Sequence, residues 1–195
     1  LRPGIEKAFR KDVDAFHFIA NFVQMFAPGA RRLRPVEVVT HFEGTVMGEL
    51  DLRLEAASAS QFEANTARDK GFTLPQVKWA LSGRRVMTME WAEGVALGDN
   101  DGLDAAGHNR VDLSERVLQL FLSHALRDGF FHADMHQGNL KIAANGDIIA
   151  YDFGIMGHID EYTRRVYAEI LYGFIRRDYM RVAKVHFEAG YVPAD

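Results

Sequence analysis

Apolar positions near the start of the chain recur at helical spacing. Ile5, Phe9, Val13, Phe16, Ile19, Ala20 and Val23 share one broad face, which predicts an amphipathic helix from Ile5 to about Phe26. Pro28-Gly29 ends it. The basic run Arg31-Arg32-Leu33-Arg34 then reads as a solvated connector, with a phosphate or anionic-lipid contact as the alternative. Pro35 stands where a helix tolerates proline, at its first position. From there Val38, Val39, Phe42, Val46, Leu50, Leu54, Ala57 and Phe62 predict one long, continuously amphipathic helix. Glu49, Asp51 and Glu55 fall near its middle with apolar residues on every side, so they form either its wet face or an acidic group turned to a cleft.

The pattern then changes period. Phe72 to Leu81 and Arg85 to Trp91 read as two strands joined at Ser82-Gly83, the second running into Ala92-Glu93-Gly94. A strand leaving through a glycine-containing connector has the form of a hinge between lobes, and equally of any strand end. Asp99 to Asn109 is polar and glycine-rich, a surface excursion. Leu113 to Asp128 returns to helical spacing, with Ser114 or Asp112 as cap candidates and Gly129 as its stop. Leu140 to Ala143 and Ile148 to Tyr151 flank the turn Asn145-Gly146-Asp147 and predict a hairpin. Tyr162, Val166, Ile170, Leu171 and Phe174 mark one more helix. Arg177 or Asp178 breaks it, and Tyr179 to Ala189 forms another, ended by Gly190.

Chemistry concentrates around that hairpin. The loop Phe131-His132-Ala133-Asp134-Met135-His136-Gln137-Gly138-Asn139 precedes it, and Asp152-Phe153-Gly154 follows it. An Asp, an Asn five positions on and a second Asp after a short hairpin form the set that phosphoryl transfer requires. Asp134 would receive or orient the proton of an attacking hydroxyl. Asn139 and Asp152 would hold the metal ions that bridge nucleotide phosphates. His132 reads as architectural. A metal-dependent hydrolase using His132, Asp134 and His136 directly is the competing arrangement, and it leaves Asn139 and Asp152 without a task.

Composition narrows the field. The 195 residues, 48% hydrophobic and 26% charged, suffice for one core or for two small lobes sharing a cleft. A net charge of −4 argues against nucleic acid as partner. The lack of cysteine excludes disulfides and thiolate metal sites. No apolar run reaches membrane-spanning length and no signal peptide opens the chain. Leu1-Arg2-Pro3-Gly4 and Pro193-Ala194-Asp195 read as the ends of a piece of a longer protein.

With these motifs in view, the whole chain resembles the atypical kinase-like UbiB/ADCK family linked to ubiquinone biosynthesis, in its proteobacterial form. The resemblance rests on Glu49-Leu50-Asp51 with Glu55-Ala56-Ala57, on the His132–Asn139 loop, on Asp152-Phe153-Gly154-Ile155, and on Arg177-Asp178-Tyr179 with Gly190-Tyr191-Val192-Pro193. It implies an α+β, protein kinase-like, two-lobed fold, with residues 1–91 as an incomplete N-lobe and 92–195 as most of a helical C-lobe. It implies that Glu55 pairs with a nucleotide-binding lysine and that Asp134 is the catalytic-loop aspartate. It gives Asn139 and Asp152 the role of metal ligands. Met89, Glu90 and Trp91 fall in the segment that binds adenine through its backbone, and Glu49 and Asp51, grouped with the cofactor-binding residues, in the family's Glu-x-Asp motif, which faces an N-terminal extension lying over the would-be substrate site. Ala133 replaces the arginine of protein kinase loops, a departure shared with small-molecule kinases that argues against control by an activation-loop phosphosite.

The implied cofactors are ATP and Mg²⁺. The implied partners are a polyprenylphenol lipid intermediate or other ubiquinone-biosynthesis enzymes, at the cytoplasmic face of the bacterial inner membrane. The family's lysine and nucleotide loop would precede Leu1, and its membrane-anchoring helices would follow Asp195, so this chain alone is expected to be inactive. The other function class is a nucleotide-sensing scaffold that binds without phosphotransfer.

Overall fold

The computed structural model describes residues 1–192. It contains helices α1 (Ile5–Phe26), α2 (Pro35–Glu49), α3 (Leu52–Thr66), α4 (Asn100–Ala105), α5 (Arg110–Ser123), α6 (Glu161–Arg176) and α7 (Tyr179–Glu188). Its strands are short: β1 (Phe72–Thr73), β2 (Val95–Ala96), β3 (Phe130–His132), β4 (Leu140–Ile142), β5 (Ile148–Ala150) and β6 (Met156–His158). They form a four-stranded sheet in the order β1-β5-β4-β2 and a separate pair, β3 with β6. The described helices include none long and apolar enough to cross a membrane.

The chain divides into two compact units. One comprises Leu1–Ser58 with Val77–Glu90, the other Ala59–Gln76 with the chain from Trp91 onward. In the first, α1 and α2 pack as a hairpin. Phe9 and Phe16 meet Phe42 with ring centroids 6.0 and 6.2 Å apart. A 3₁₀ turn at Pro28–Leu33 joins the helices, so the basic run is wound rather than extended.

The expected long helix is two. Leu50 leaves helical geometry at ψ 6°, and the Asp51 N–H turns back to the Gly48 carbonyl at 3.0 Å. Asp51 Oδ1 then accepts the Arg53 N–H at 3.2 Å, so this acid starts a new helix instead of lying mid-helix. The Leu52 N–H finds the Arg84 carbonyl at 3.0 Å, which satisfies another first-turn donor. Apolar periodicity ran unbroken through the junction because Leu50 and Leu52 are apolar. The side chain that competes for the backbone is Asp51.

The two strands expected over Phe72–Leu81 and Arg85–Trp91 are largely absent. Phe72–Thr73 pairs instead with β5, in parallel. Val77 to Met89 and Gly83 to Val86 are isolated antiparallel bridges around a 3₁₀ turn at Trp79–Leu81. The Ser82 hydroxyl replaces ladder bonds here, accepting the Thr88 N–H at 2.9 Å and reaching the Lys78 carbonyl at 3.0 Å.

In the second unit, the Asp99–Asn109 stretch contains a helix. Asp99 caps α4 by accepting the Gly102 N–H at 3.0 Å, and Leu103 anchors it, 1% exposed. The α5 cap is Asn109, accepting the Val111 N–H at 3.0 Å, and neither Ser114 nor Asp112. α5 ends in a π-helical turn, His124–Asp128, closed by Gly129 at φ +69°. Phe62 of α3 is fully buried against Phe72, His124, Phe130 and Phe153, at centroid distances of 5.0 to 6.4 Å. β5 is buried at all three residues, as a strand flanked on both edges must be. Asp160 and Asp178 cap α6 and α7, and Arg177 takes the left-handed conformation between them.

Candidate active site

Strand register assembles the second unit's polar loop. β4 and β5 pair antiparallel with Leu140 opposite Ala150, and the Tyr151 N–H continues the ladder to the Asn139 carbonyl at 3.3 Å. β3 and β6 pair with His132 opposite Met156, and the Ala133 N–H extends that ladder to the Ile155 carbonyl at 3.0 Å. Asp152 to Gly154 is the short link between the two ladders. Asp134 and Asn139 therefore leave and enter strands at the same end where Asp152 emerges. The register sets the three residues at the ends of paired strands.

The loop is held by its own polar atoms. The Asn139 amide nitrogen donates to the Asp134 carbonyl at 3.1 Å, and the His136 N–H reaches the same oxygen at 2.8 Å. Asn139 is 8% exposed, and with its nitrogen committed inward its side-chain oxygen is the atom left for a cation. His136 Nδ1 accepts the Gly138 N–H at 2.9 Å, while its Nε2 lies 3.6 Å from Asp134 Oδ2. The Asp134 carboxylate is accessible, at 42% side-chain exposure. Asp152 is exposed, with Oδ1 accepting the Gly154 N–H at 3.1 Å.

His132 is architectural. It is 1% exposed, and its Nδ1 accepts the Asp134 N–H at 3.1 Å, which puts the ring proton on Nε2. Burial holds its pKa below the usual histidine range, opposed but not reversed by the Asp152 backbone and carboxylate. Phe153 packs beside it, 6.0 Å between ring centroids. A ligand set of His132, Asp134 and His136 does not form: the His132 nitrogen nearest Asp134 is already an acceptor. No group of three His, Cys, Asp or Glu side chains converges as a metal cage among the described residues. What remains is two hard oxygen donors, Asn139 Oδ1 and the Asp152 carboxylate. That set suits Mg²⁺ completed by waters and phosphate oxygens.

The spacing did not single out Lys141 or Tyr151. Lys141 is the one polar residue in β4, between fully buried Leu140 and Ile142. Its amine donates to the Ala92 carbonyl at 2.9 Å and stands 5.0 Å from the Trp91 ring and 5.4 Å from the Tyr151 ring. The Tyr151 hydroxyl donates to the Gly138 carbonyl and ties the loop to β5. A lone polar residue in an apolar strand was the available signal for Lys141.

The remaining candidates belong chiefly to the first unit. Asp51 caps α3 and meets Arg53 at 2.6 Å; that guanidinium pulls its pKa down to about 2. Glu49 is exposed at the end of α2, and Glu55 is half-buried in the first turn of α3. Met89 bridges to Val77, and Glu90 pairs with Lys78 at 2.6 Å. Trp91 opens the second unit's long segment, 84% exposed beneath the Lys141 amine.

"Probable protein kinase UbiB" of Marinobacter nauticus is 38% identical over all of this chain, and its counterpart in Vibrio campbellii is 40% identical. The chain spans 36% and 37% of those two proteins' lengths. The Mycobacterium tuberculosis protein solved as the Rv3197–erythromycin complex superposes with a TM-score of 0.69 at 22% identity, over 96% of this chain and 46% of that one, and supports the α+β, kinase-like fold. The ABC1 atypical kinase-like domain matches residues 1–186, and the chain belongs to that family.

Proposed function

We propose that this chain supplies the metal-binding and acceptor-orienting half of an Mg-ATP site, in an atypical kinase or ATPase that supports ubiquinone biosynthesis. The observation that carries the reading is the pairing of two short ladders, β3–β6 and β4–β5, whose shared end holds Asp134, Asn139 and Asp152. Asn139 Oδ1 and the Asp152 carboxylate would hold Mg²⁺, which when bound neutralises charge on the nucleotide phosphates. Asp134, tethered through its backbone to His132, His136 and Asn139, would orient an attacking hydroxyl or water and take up its proton. Glu55 is assigned the pairing with a nucleotide-binding lysine, the Met89–Trp91 backbone the adenine edge, and Glu49 and Asp51 the motif that faces an N-terminal extension over the substrate site. The phosphate acceptor is a small polyprenylphenol or water. The site of action is the cytoplasmic face of the inner membrane.

The test is calorimetric titration of ATP into the full-length parent, with and without Mg²⁺, beside Asp152→Asn. Binding that requires Mg²⁺ and weakens at least about tenfold in the variant is expected, since a charge-assisted contact to the metal is lost. Equal affinity in the two proteins would remove Asp152 from the metal site and the reading with it.

A further inference from the structure

Two segments of the second unit face each other across a cleft of about 320 Å³. One wall is the turn after α3, Arg68-Asp69-Lys70. The other is the α5 face carrying Arg116, Gln119, Leu120 and Ser123, with Arg127 in the π-helical turn beyond it. Positions 116, 119, 120 and 123 fall on one side of a helix by their spacing. Cations dominate the lining: four Arg and Lys side chains accompany one carboxylate, on a chain of net charge −4. No residue of the Asp134–Asn139 loop contributes to it.

The α5 cation is fixed in place. Arg116 is half-buried, and its Nη2 donates to the Gly71 carbonyl at 3.2 Å. Gly71, at φ +75°, makes room for it, since a Cβ there would stand 2.7 Å from that same nitrogen. The nearest acid, Asp112, lies 3.8 Å from Nη1 and is 60% exposed, too distant for a hydrogen bond and screened by water. The one carboxylate in the lining is already engaged. Both Asp69 oxygens accept from Arg127, at 2.7 and 2.8 Å, and Oδ2 also meets His124 Nε2 at 3.0 Å. Arg127 pairs with Asp128 as well, at 2.6 Å, so it brings no surplus charge. The surplus rests with Arg116 and with Arg68 and Lys70, which are exposed and have no acidic partner among the described residues. Gln119 and Ser123 add side-chain donors that have no partner among the described residues. Fixed cations beside neutral donors suit a compact, multiply charged oxyanion, and planar guanidiniums match phosphate oxygens. A bilayer would require exposed apolar side chains at the rim, whereas Leu120, the apolar residue of the lining, is half-buried.

We propose that this cleft binds the phosphate group of a small soluble ligand, a phosphomonoester or diphosphate, held by Arg68, Lys70 and Arg116 with Gln119 and Ser123. The bound anion would tie the turn between α3 and β1 to α5. The cleft shares no residue with the proposed nucleotide site and does not depend on it.

The test is calorimetric titration of pyrophosphate into the 195-residue chain at low salt with EDTA present, so that no metal-bridged binding at Asp152 contributes. One-site binding that weakens as salt rises is expected. Arg68→Gln with Lys70→Gln should weaken it at least about tenfold, because two charge-assisted contacts are lost. Arg10→Gln with Arg32→Gln removes the same charge at exposed positions elsewhere and should leave binding unchanged. Far-UV circular dichroism should match the wild type for both pairs, since all four side chains are exposed. No pyrophosphate binding, or equal weakening by the two pairs, would overturn the proposal. So would binding to vesicles containing phosphatidic acid without binding to pyrophosphate, which would make the phosphate a lipid's. Equal affinity for hexaglutamate would also overturn it, making the cleft a surface for acidic protein segments.

Discussion

His124 and His132 are sealed from water at 0% and 1% exposure, and that burial holds the pKa of each below the usual histidine range. For His124 burial outweighs the Asp69 carboxylate 3.0 Å from Nε2, and the positive charge of Arg127, bound to both oxygens of that carboxylate, adds a smaller push in the same direction. Both histidines therefore have folded pKa values below the unfolded value of about 6.5. The sign follows: their contribution to stability is whole above about pH 6.5 and is lost as the pH falls and the unfolded chain takes up protons. Two such groups give a slope of at most ~2.7 kcal/mol per pH unit. The urea midpoint is expected to fall between about pH 7 and pH 5. A flat midpoint across that interval would show the two rings to take up protons in the fold as readily as in the unfolded chain. Asp69, held below the usual carboxylate range chiefly by Arg127, acts in a separate, more acidic window.

At the scale of elements, caps decide boundaries that apolar spacing leaves open. The α5 start depends on Asn109, whose Oδ1 accepts from Val111 at 3.0 Å and Asp112 at 3.4 Å. Asn109→Ala should cost about 1 kcal/mol in chemical denaturation, while Ser114→Ala, whose hydroxyl bonds back to the Val111 carbonyl, should cost less. The reverse order would restore Ser114 as the cap. The same distinction separates what could be read from the sequence and what could not. The Leu140–Ala150 hairpin and α1 were legible because Gly146 and Pro28-Gly29 punctuate clean periodic runs. The break at Leu50-Asp51 was not, because the apolar spacing continues through it. β1 was misread in length because its partner, β5, lies far away in sequence, and parallel pairing leaves no local signal. The spacing of Asp134, Asn139 and Asp152 around their local turns could be read directly, and their role as a site is the proposal made above. Lys141 was not, because its partners Ala92, Trp91 and Tyr151 come from distant segments.

Across the molecule, the second unit depends on one aromatic centre. Phe62 touches the ring of Phe153 beside Asp152, the ring of Phe130 in β3, and His124 at the end of α5. Phe62→Ala should cost ~3–5 kcal/mol, with Phe62→Leu much less, measured by urea unfolding with a probe in that unit. A cost under about 1 kcal/mol for the alanine variant would show that the core collapses around the missing ring. The parallel union of Phe72–Thr73 with Ile148–Ile149 bears on the order of assembly. The β4–β5 hairpin closes over a few residues and can form early, whereas β1 must find its edge across the 76 positions from Phe72 to Ile148, at a larger loop-closure cost. β1 is thus the late strand, and Phe62, which meets Phe72, completes its burial only when that strand arrives. Until then the stretch ending in Asp152 lacks the ring that backs Phe153. The loop that presents the acids would thus gain its rigidity last, after the backbone around it has already been laid down.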